Sequence, residues 1–504
     1  MGNVTELTFT RCRTRFIRGV LLCLFFGLAG CDQPPRADVS LGLSAGPVTL
    51  DPRFATDAVA TRLNRLLYAR LVDFDEALAP TPALAKWVRL GQLHYRFHLD
   101  EDRDTFHDGA TLTAADVVAT YESILDKATG SPHRGSLTNV ASISAASEDS
   151  VDFHLHKPDP LFPGKLVVGI LPAELIRSSH PFNERPVGSG PFEFQSWSGE
   201  NRVRMTRRRD GAVVDVLKIQ EPTTRVLKLL RGEVDLIQSD VAPEVVGWLS
   251  AKPGVKVSRA QGTRFSYVGF NLEDPVVGKF EVRQAIAHAL DRDAIVQHVF
   301  KAGARPASAL LVPTHWAGHS GLVPIKHDLA EAKRLLAKAG YGEGLEIVYK
   351  TSADPFRIRI ASIIQAQLKA AGITVKVQSH DWGTFFGDVK AGRFQMYSLA
   401  WVGIKMPDIF RYVFHSDSVP PKGANRGRYR DERTDELIEQ AESTSDLDAQ
   451  AAHYRALQAR LLETLPYVPL WYEDNFYAAQ DHVRGYRLTA DGNYDGLLTI
   501  STSR

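Results

Sequence analysis

Three cysteines, Cys12, Cys23 and Cys31, are the only thiols in the 504 residues, and all fall within the first 31. Beyond them the chain has no disulfide, zinc–thiolate site or cysteine nucleophile to offer. Serine chemistry has one candidate, Gly42-Leu43-Ser44-Ala45-Gly46, which matches G-x-S-x-G. That elbow needs a strand before the serine and a helix after it. Pro47 and the extended stretch Val48-Thr49-Leu50 oppose the helix, so no hydrolase and no catalytic residue is expected. Metal chemistry has two candidate pairs. His154 and His156 would share a strand face, and His315 and His319 would meet on a helical turn. Among 16 histidines, solvated surface rings are the simpler reading, and neither metal nor cofactor is expected.

Cys31 has a context of its own. Arg11, Arg13, Arg15 and Arg18 precede an apolar run from Gly19 to Gly30, the pattern of a signal peptide over residues 1–30. The run is shorter than the roughly 20 residues a membrane span needs. It ends in Leu28-Ala29-Gly30-Cys31, which resembles the lipobox of bacterial lipoproteins: small residues admit a peptidase, and the thiol takes the diacylglyceryl group. About two acyl chains suffice for stable anchoring. Asp32 resembles the inner-membrane retention signal of Gram-negative lipoproteins, which would hold the body at the periplasmic side of that membrane. Residues 31–38, with Pro34-Pro35, read as a lipidated polar tether.

The elements behind these residues are those of an α/β protein of more than one domain, since a single core stops growing near roughly 250–300 residues. Without residues 1–30 the chain keeps 56 basic and 58 acidic residues, a formal charge of −2, and nothing in it points to nucleic acid. Asp328 and Glu331 form a capping pattern before a helical face of Leu329, Ala332, Leu335, Leu336 and Ala339, with Gly340 placed to end it. Leu345 to Lys350 reads as a strand. Pro355 opens a helix with inner face Ile360, Ile363, Ile364 and Leu368, stopped by Gly372, and Ile373, Val375 and Val377 alternate as the next strand. This order predicts a parallel sheet covered by helices. Helices are also expected over 281–290 and 292–300, split at Asp291, and over 447–465 before Pro466. Strands are expected at 93–99, 151–155 and 203–207, and Arg207-Arg208-Arg209 reads as a solvated face.

From about Val39 onward the chain resembles the peptide, opine and nickel group of bacterial extracellular solute-binding proteins, family 5, which serve ABC importers. The resemblance rests on ordered motifs. Thr49-Leu50-Asp51-Pro52 and Leu67-Tyr68-Ala69-Arg70-Leu71-Val72 come first, then Leu84-Ala85-Lys86-Trp87, Phe106-His107-Asp108-Gly109 and Leu112-Thr113-Ala114-Ala115-Asp116-Val117. Gly188-Ser189-Gly190-Pro191-Phe192, Gly232-Glu233-Val234-Asp235-Leu236, Gly269-Phe270-Asn271 and Val282-Arg283-Gln284-Ala285-Ile286 follow. Most of these read as fold-determining; Phe106 to Gly109, for one, is expected to be a turn with a packed aromatic.

The resemblance implies a two-lobed periplasmic-binding-protein fold of type II with an enlarged first lobe and a ligand cleft between the lobes. Lobe I would comprise residues 39–262 and 474–504, with an inserted subdomain at roughly 80–187, and lobe II residues 263–473. Crossings are placed near Gly262–Ser266 and Leu470–Asp474, where a hinge can act. The implied function is capture of peptides by a monomeric receptor that hands them to the importer's permease subunits; nickel, haem or a sensory or scaffold role are the alternatives. Candidate ligand contacts are Phe270 and Asn271 at the first crossing, Trp382, and Trp401 after the strand 394–400, an apolar wall with few polar groups. Arg357, with Lys350 and Arg359, is a candidate partner for a ligand carboxylate. Family members that bind peptides often carry Trp-x-x-Asp followed by Asp-Pro-Asp, the first Asp holding the ligand amine. Here Trp401 is followed by Val402-Gly403-Ile404-Lys405-Met406-Pro407-Asp408, which leaves Ile404 at the anchor position and Asp408 as the retained carboxylate. A free-amine dipeptide would lose its salt bridge.

Overall fold

The computed structural model describes residues 36–102, 105–199 and 201–503; the leader, Cys31 and most of the tether lie outside the described residues. Among the described residues no helix is long and apolar enough to cross a membrane.

Local signals set the elements of the second half. Asp328 accepts from the Glu331 N–H and opens the helix Leu329–Lys338, and Gly340 follows it at φ +90°. Pro355 stands in the first turn of Pro355–Ala370, where a missing N–H costs nothing, and Asp354 caps it by accepting from the Arg357 N–H. That helix buries Ile360, Ala361, Ile364 and Leu368, with Ile363 only half-buried. Asp291 caps Arg292–His298, and Leu447–Thr464 ends at Leu465 before Pro466. Strands Leu345–Ser352 and Ile373–His380 pair in parallel, as expected of strands joined through a helix.

These strands belong to one large sheet. Across it run Ile373–His380, Leu345–Ser352, Met396–Trp401, Val255–Phe270, Tyr467–Gln480, Leu236–Gln238, Val39–Leu43, Val213–Lys218, Arg202–Arg207 and Phe192–Ser198. The two long central strands pair antiparallel and carry the sheet from one lobe into the other. Their register slips between Ser266 and Tyr267 and, more widely, between Ala260, opposite Asn475, and Arg264, opposite Glu473. Gly262 lies in the wider slip, and a Cβ there would come 2.2 Å from the Glu473 carbonyl oxygen, so the close approach requires glycine.

A separate antiparallel sheet of Ala85–Gly91, His94–Leu99, Ser150–Leu155 and Val140–Ser147 carries the helix Ala114–Leu125 on one face. Alternation decides its two sides: Tyr95, Phe97, Leu99, Val151, Phe153 and Leu155 enter the core, while His94, Arg96, His98, Asp152 and His154 line the other face. Phe106 is buried in that core, and Gly109 takes φ +89° in the turn behind it.

Two sequence expectations are corrected, and the reading against a nucleophile elbow at Ser44 agrees with the structure. The strand Val39–Leu43 leads into bends, the next helix begins only at Ala58, and Ser44 Oγ donates to Asp240 at 2.5 Å, so the G-x-S-x-G stretch is no nucleophile elbow. His315 and His319 share no helical turn: tight turns run there, and His315 is buried with Nε2 3.0 Å from the Lys405 carbonyl oxygen while Nδ1 accepts from the Ala317 N–H. Arg207 is not solvated. It is 4% exposed, pairs with Asp210, and donates to the carbonyls of Leu497 and Ile500, because the C-terminal tail folds back over it.

Candidate functional site

Parallel strands end together, and in open α/β sheets that carboxyl edge is where ligands bind. Here Leu345–Ser352, Ile373–His380 and Met396–Trp401 point the same way. Helices Pro355–Ala370 and Trp382–Ala391 start just beyond the first two, capped by Asp354 and Asp381. Trp401 ends the third and pairs with Phe265, next to the register slip of the long strands. Arg357, Trp382 and Trp401 therefore all stand at the edge that faces the crossing.

Two of them join one wall. The Trp382 ring, 59% exposed, stacks on Phe386 with centroids 5.3 Å apart and planes 8° from parallel. The Arg426 guanidinium lies 5.1 Å from the Phe386 centroid and 5.0 Å from that of Trp401, a cation between two aromatic faces. Arg426 is held by its neighbour: the Asn425 amide donates to the His415 and Tyr429 carbonyls, and its oxygen accepts from the Tyr429 N–H. Behind the wall Tyr267 and Tyr467 stack at 3.9 Å and Tyr397 meets Tyr267 edge-on. Arg426 Nη1 donates to Tyr267 Oη at 3.3 Å. Burial pushes the Tyr397 and Tyr467 phenols well above their ordinary value, so both keep their protons and can donate. Tyr397 Oη, Tyr467 Oη and Trp401 Nε1 are buried without a well-aligned partner.

Arg357 is already engaged. Its Nη1 is 3.0 Å from Glu473 Oε1, Arg264 Nε is 3.6 Å from the other oxygen, and Ser266 Oγ donates at 2.8 Å. Burial alone would raise the Glu473 carboxyl, but the two guanidinium groups outweigh it and bring it down to about 2. Lys350 is likewise paired, with Asp388 at 2.7 Å.

The segment after Trp401 reaches across to residues from the early and the last part of the chain. Lys405 Nζ is 2.7 Å from Asp491, and Met406 packs so closely on Gly164 that a Cβ there would lie 2.4 Å from its sulfur. Nearby, the Trp316 N–H donates to the Ala77 carbonyl at 2.9 Å. Asp408 begins the helix Ile409–Phe414. Its carboxyl is raised by burial; Lys165 opposes the shift, and Asp159 and Glu442 add to it. Asp408 thus sits against the 159–165 segment and not in the wall beside Trp401.

Phe270 and Asn271 are brought to the wrong end. Phe270 pairs with Met396 while Trp401 pairs with Phe265, so five residues, about 17 Å of strand, separate the two positions. Phe270 is fully buried among Val268, Val282 and Ile286. Asn271 turns the chain, accepting from Glu273 N–H and donating to the Gly392 carbonyl. The long strand continues past the crossing, which carries both residues away from it. The sequence does not single out Arg426: it sits in a loop without periodicity, in the basic run Arg426-Gly427-Arg428-Tyr429-Arg430, and no local signal separates it from its neighbours.

His154 has a different companion from the one expected. His156 lies beyond the strand end, whereas His94 is directly opposite, its ring stacked at 4.1 Å. Donor atoms of His94, Asp152 and His154 lie within 4.8 Å of one another. Both Asp152 oxygens accept from Arg96 at 2.7 Å, however, so the carboxylate charge is already matched and the group reads as an ion-paired outer sheet face.

Two lobes joined by paired crossing strands, with an aromatic and cationic wall at the carboxyl edge beside them, define a periplasmic binding protein. Residues 77–420 match the model of the bacterial extracellular solute-binding proteins, family 5, middle region. The oligopeptide-binding protein AppA of Bacillus subtilis is 26% identical over 93% of this chain and 95% of its own length. The dipeptide-binding protein of Pseudomonas aeruginosa is 27% identical over 88% and 91%. Among solved structures, the periplasmic binding protein DppA of Helicobacter pylori in complex with the peptide STSA superposes with a TM-score of 0.75 at 26% identity, covering 92% of this chain and 98% of that one. The chain belongs to the family 5 extracellular solute-binding proteins.

Proposed function

We propose that this protein is the lipid-anchored substrate-binding component of an ABC importer, capturing peptides in a hinged cleft and delivering them to membrane permease subunits. The observation that carries the reading is the wall of Trp382, Phe386, Arg426 and Trp401 at the sheet edge beside the crossing strands, in a chain whose relatives include peptide-binding proteins. Lobe I is residues 39–262 and 474–504, lobe II residues 263–473, and the slip at Gly262 together with the facing Glu473–Asp474 supplies the hinge. Solute contacts available only in the closed form shift the lobes toward it, and the permease reads that form. No covalent step is required, and the protein is not an enzyme. Cys31 carries the lipid, and the tether keeps a monomeric receptor at the periplasmic side of the inner membrane.

The test is solute-dependent closure of the full-length protein in mild detergent. Distance measurement between labels at Ser196 and Lys376, one in each lobe, is expected to shorten on adding di- to pentapeptides, with a rise in the unfolding midpoint. Nickel or haem producing the change while peptides do not would replace the cargo. For the anchor, intact mass is expected to show acylation that Cys31→Ser abolishes.

A further inference from the structure

Five arginines are buried among the described residues: Arg207, Arg225, Arg283, Arg292 and Arg426. Four spend their donors on acceptors built into the fold. Arg207 takes Asp210 and tail carbonyls; Arg225 takes the carbonyls of Ile219 and Asp240. Arg283 takes those of Leu465, Thr464 and Gly278, and Arg292 those of Pro469 and Ile325. Arg426, at 8% exposure, donates among the described residues only to the Tyr267 hydroxyl, and no carboxylate of those residues pairs with it. A guanidinium has five N–H donors, and a buried charge without an anion is costly. Two aromatic faces offset part of that cost, but neither supplies an anion.

We propose that the Arg426 guanidinium is the receptor for an anionic group of the cargo, a carboxylate docked between Trp401 and the tyrosine hydroxyls. The inference rests on the solute-receptor reading and adds the cargo's charge to it. Bidentate pairing matches the guanidinium fork to a carboxylate. Trp401 Nε1, Tyr397 Oη and Tyr467 Oη, all lacking aligned partners, are neutral donors around the same spot. The carboxylates at this edge are engaged: Glu473 by Arg264 and Arg357, Asp388 by Lys350 and Arg393, and Asp354 and Asp381 by the backbone N–H groups of the helices they cap. Ile404 leaves no acid in the segment after Trp401 before Asp408, and Asp408 faces the other lobe. The wall therefore selects a negative end over a positive one.

The test uses the full-length protein in mild detergent and a matched pair of probes, N-acetyl-trialanine and its C-terminal amide, titrated by calorimetry. The free acid is expected to bind about 10- to 100-fold more tightly than the amide, the range of a charge-assisted hydrogen bond lost. Arg426→Met is expected to erase the preference and Arg426→Lys to keep part of it. Equal binding of acid and amide by the wild type overturns the proposal without any variant, as does a preference that survives Arg426→Met. If neither probe binds, the peptide cargo is what fails, and succinate and glutarate then decide. Binding that depends on Arg426 sustains an anion site for a non-peptide solute, and its absence overturns the site too.

Discussion

At one end of the strand pair Val255–Phe270 and Met396–Trp401, Phe270 and Met396 are sealed with their polar neighbours satisfied. At the other end, five residues away, Trp401 is half-buried with an orphaned ring N–H beside an unpaired guanidinium. Both ends are aromatic and both lie on the same strands. They differ in what lies beyond the strand: a packed turn at Asn271 on one side, the crossing and the carboxyl edge of three parallel strands on the other. Aromatic character alone thus says little about binding, whereas unsatisfied polar atoms beside aromatics say a good deal.

That contrast can be broken by substitution. Phe270→Ala is expected to cost about 3–5 kcal/mol of stability in denaturant unfolding and to leave solute preference unchanged. Trp401→Ala should do the reverse, weakening solute binding by tenfold or more at little cost in stability. If Phe270→Ala abolishes binding while the protein stays folded, the assignment of the two ends is wrong. Glu473→Gln is expected to cost about 3 kcal/mol, because Arg264 and Arg357 would lose a shared buried anion. Gly269→Ala comes next, at about 1–3 kcal/mol: its methyl would meet the Tyr397 ring at 2.6 Å and push the tyrosine cluster toward Arg426.

Acid unfolding sharpens the comparison. Glu473 titrates near 2 in the fold against 4.5 when unperturbed, so the fold favours its charged form. That contribution is complete above about pH 4.5 and is lost as the pH falls toward 2. Burial pushes His315 down to about 4 from 6.5 and favours its neutral form, so its contribution is complete above about pH 6.5 and lost as the pH falls toward 4. Midpoints measured from pH 7 to 2 should therefore fall in two stages, the first removed by His315→Gln and the second by Glu473→Gln. The smallest effect is expected at Lys405 and Asp491, where a double-mutant cycle should give up to about 1 kcal/mol. The same variants should lengthen the distance between the lobes in the unliganded protein.

Much of the second half was legible in the sequence because its signals are local. Asp328, Asp354 and Asp291 act within one turn, and the alternation of Ile373, Val375 and Val377 reports its own burial. The site was legible only in part. Trp401 and Trp382 stand out as aromatics near strand ends, but Phe270 does so equally, and register alone tells them apart. Spacing along the chain pairs His154 with His156 and not with His94, because a partner across a strand is invisible to it.

By itself the sequence determined the helix caps, the strand alternation and the family, all of which depend on neighbours within a few residues or on motif order. Tertiary structure decided which charges are spent and which remain. Arg357 and Arg426 look alike in the chain, but long-range pairing gives one of them Glu473 and leaves the other facing two rings and a tyrosine hydroxyl. Charge satisfaction is a property of three-dimensional proximity, so no local pattern encodes it.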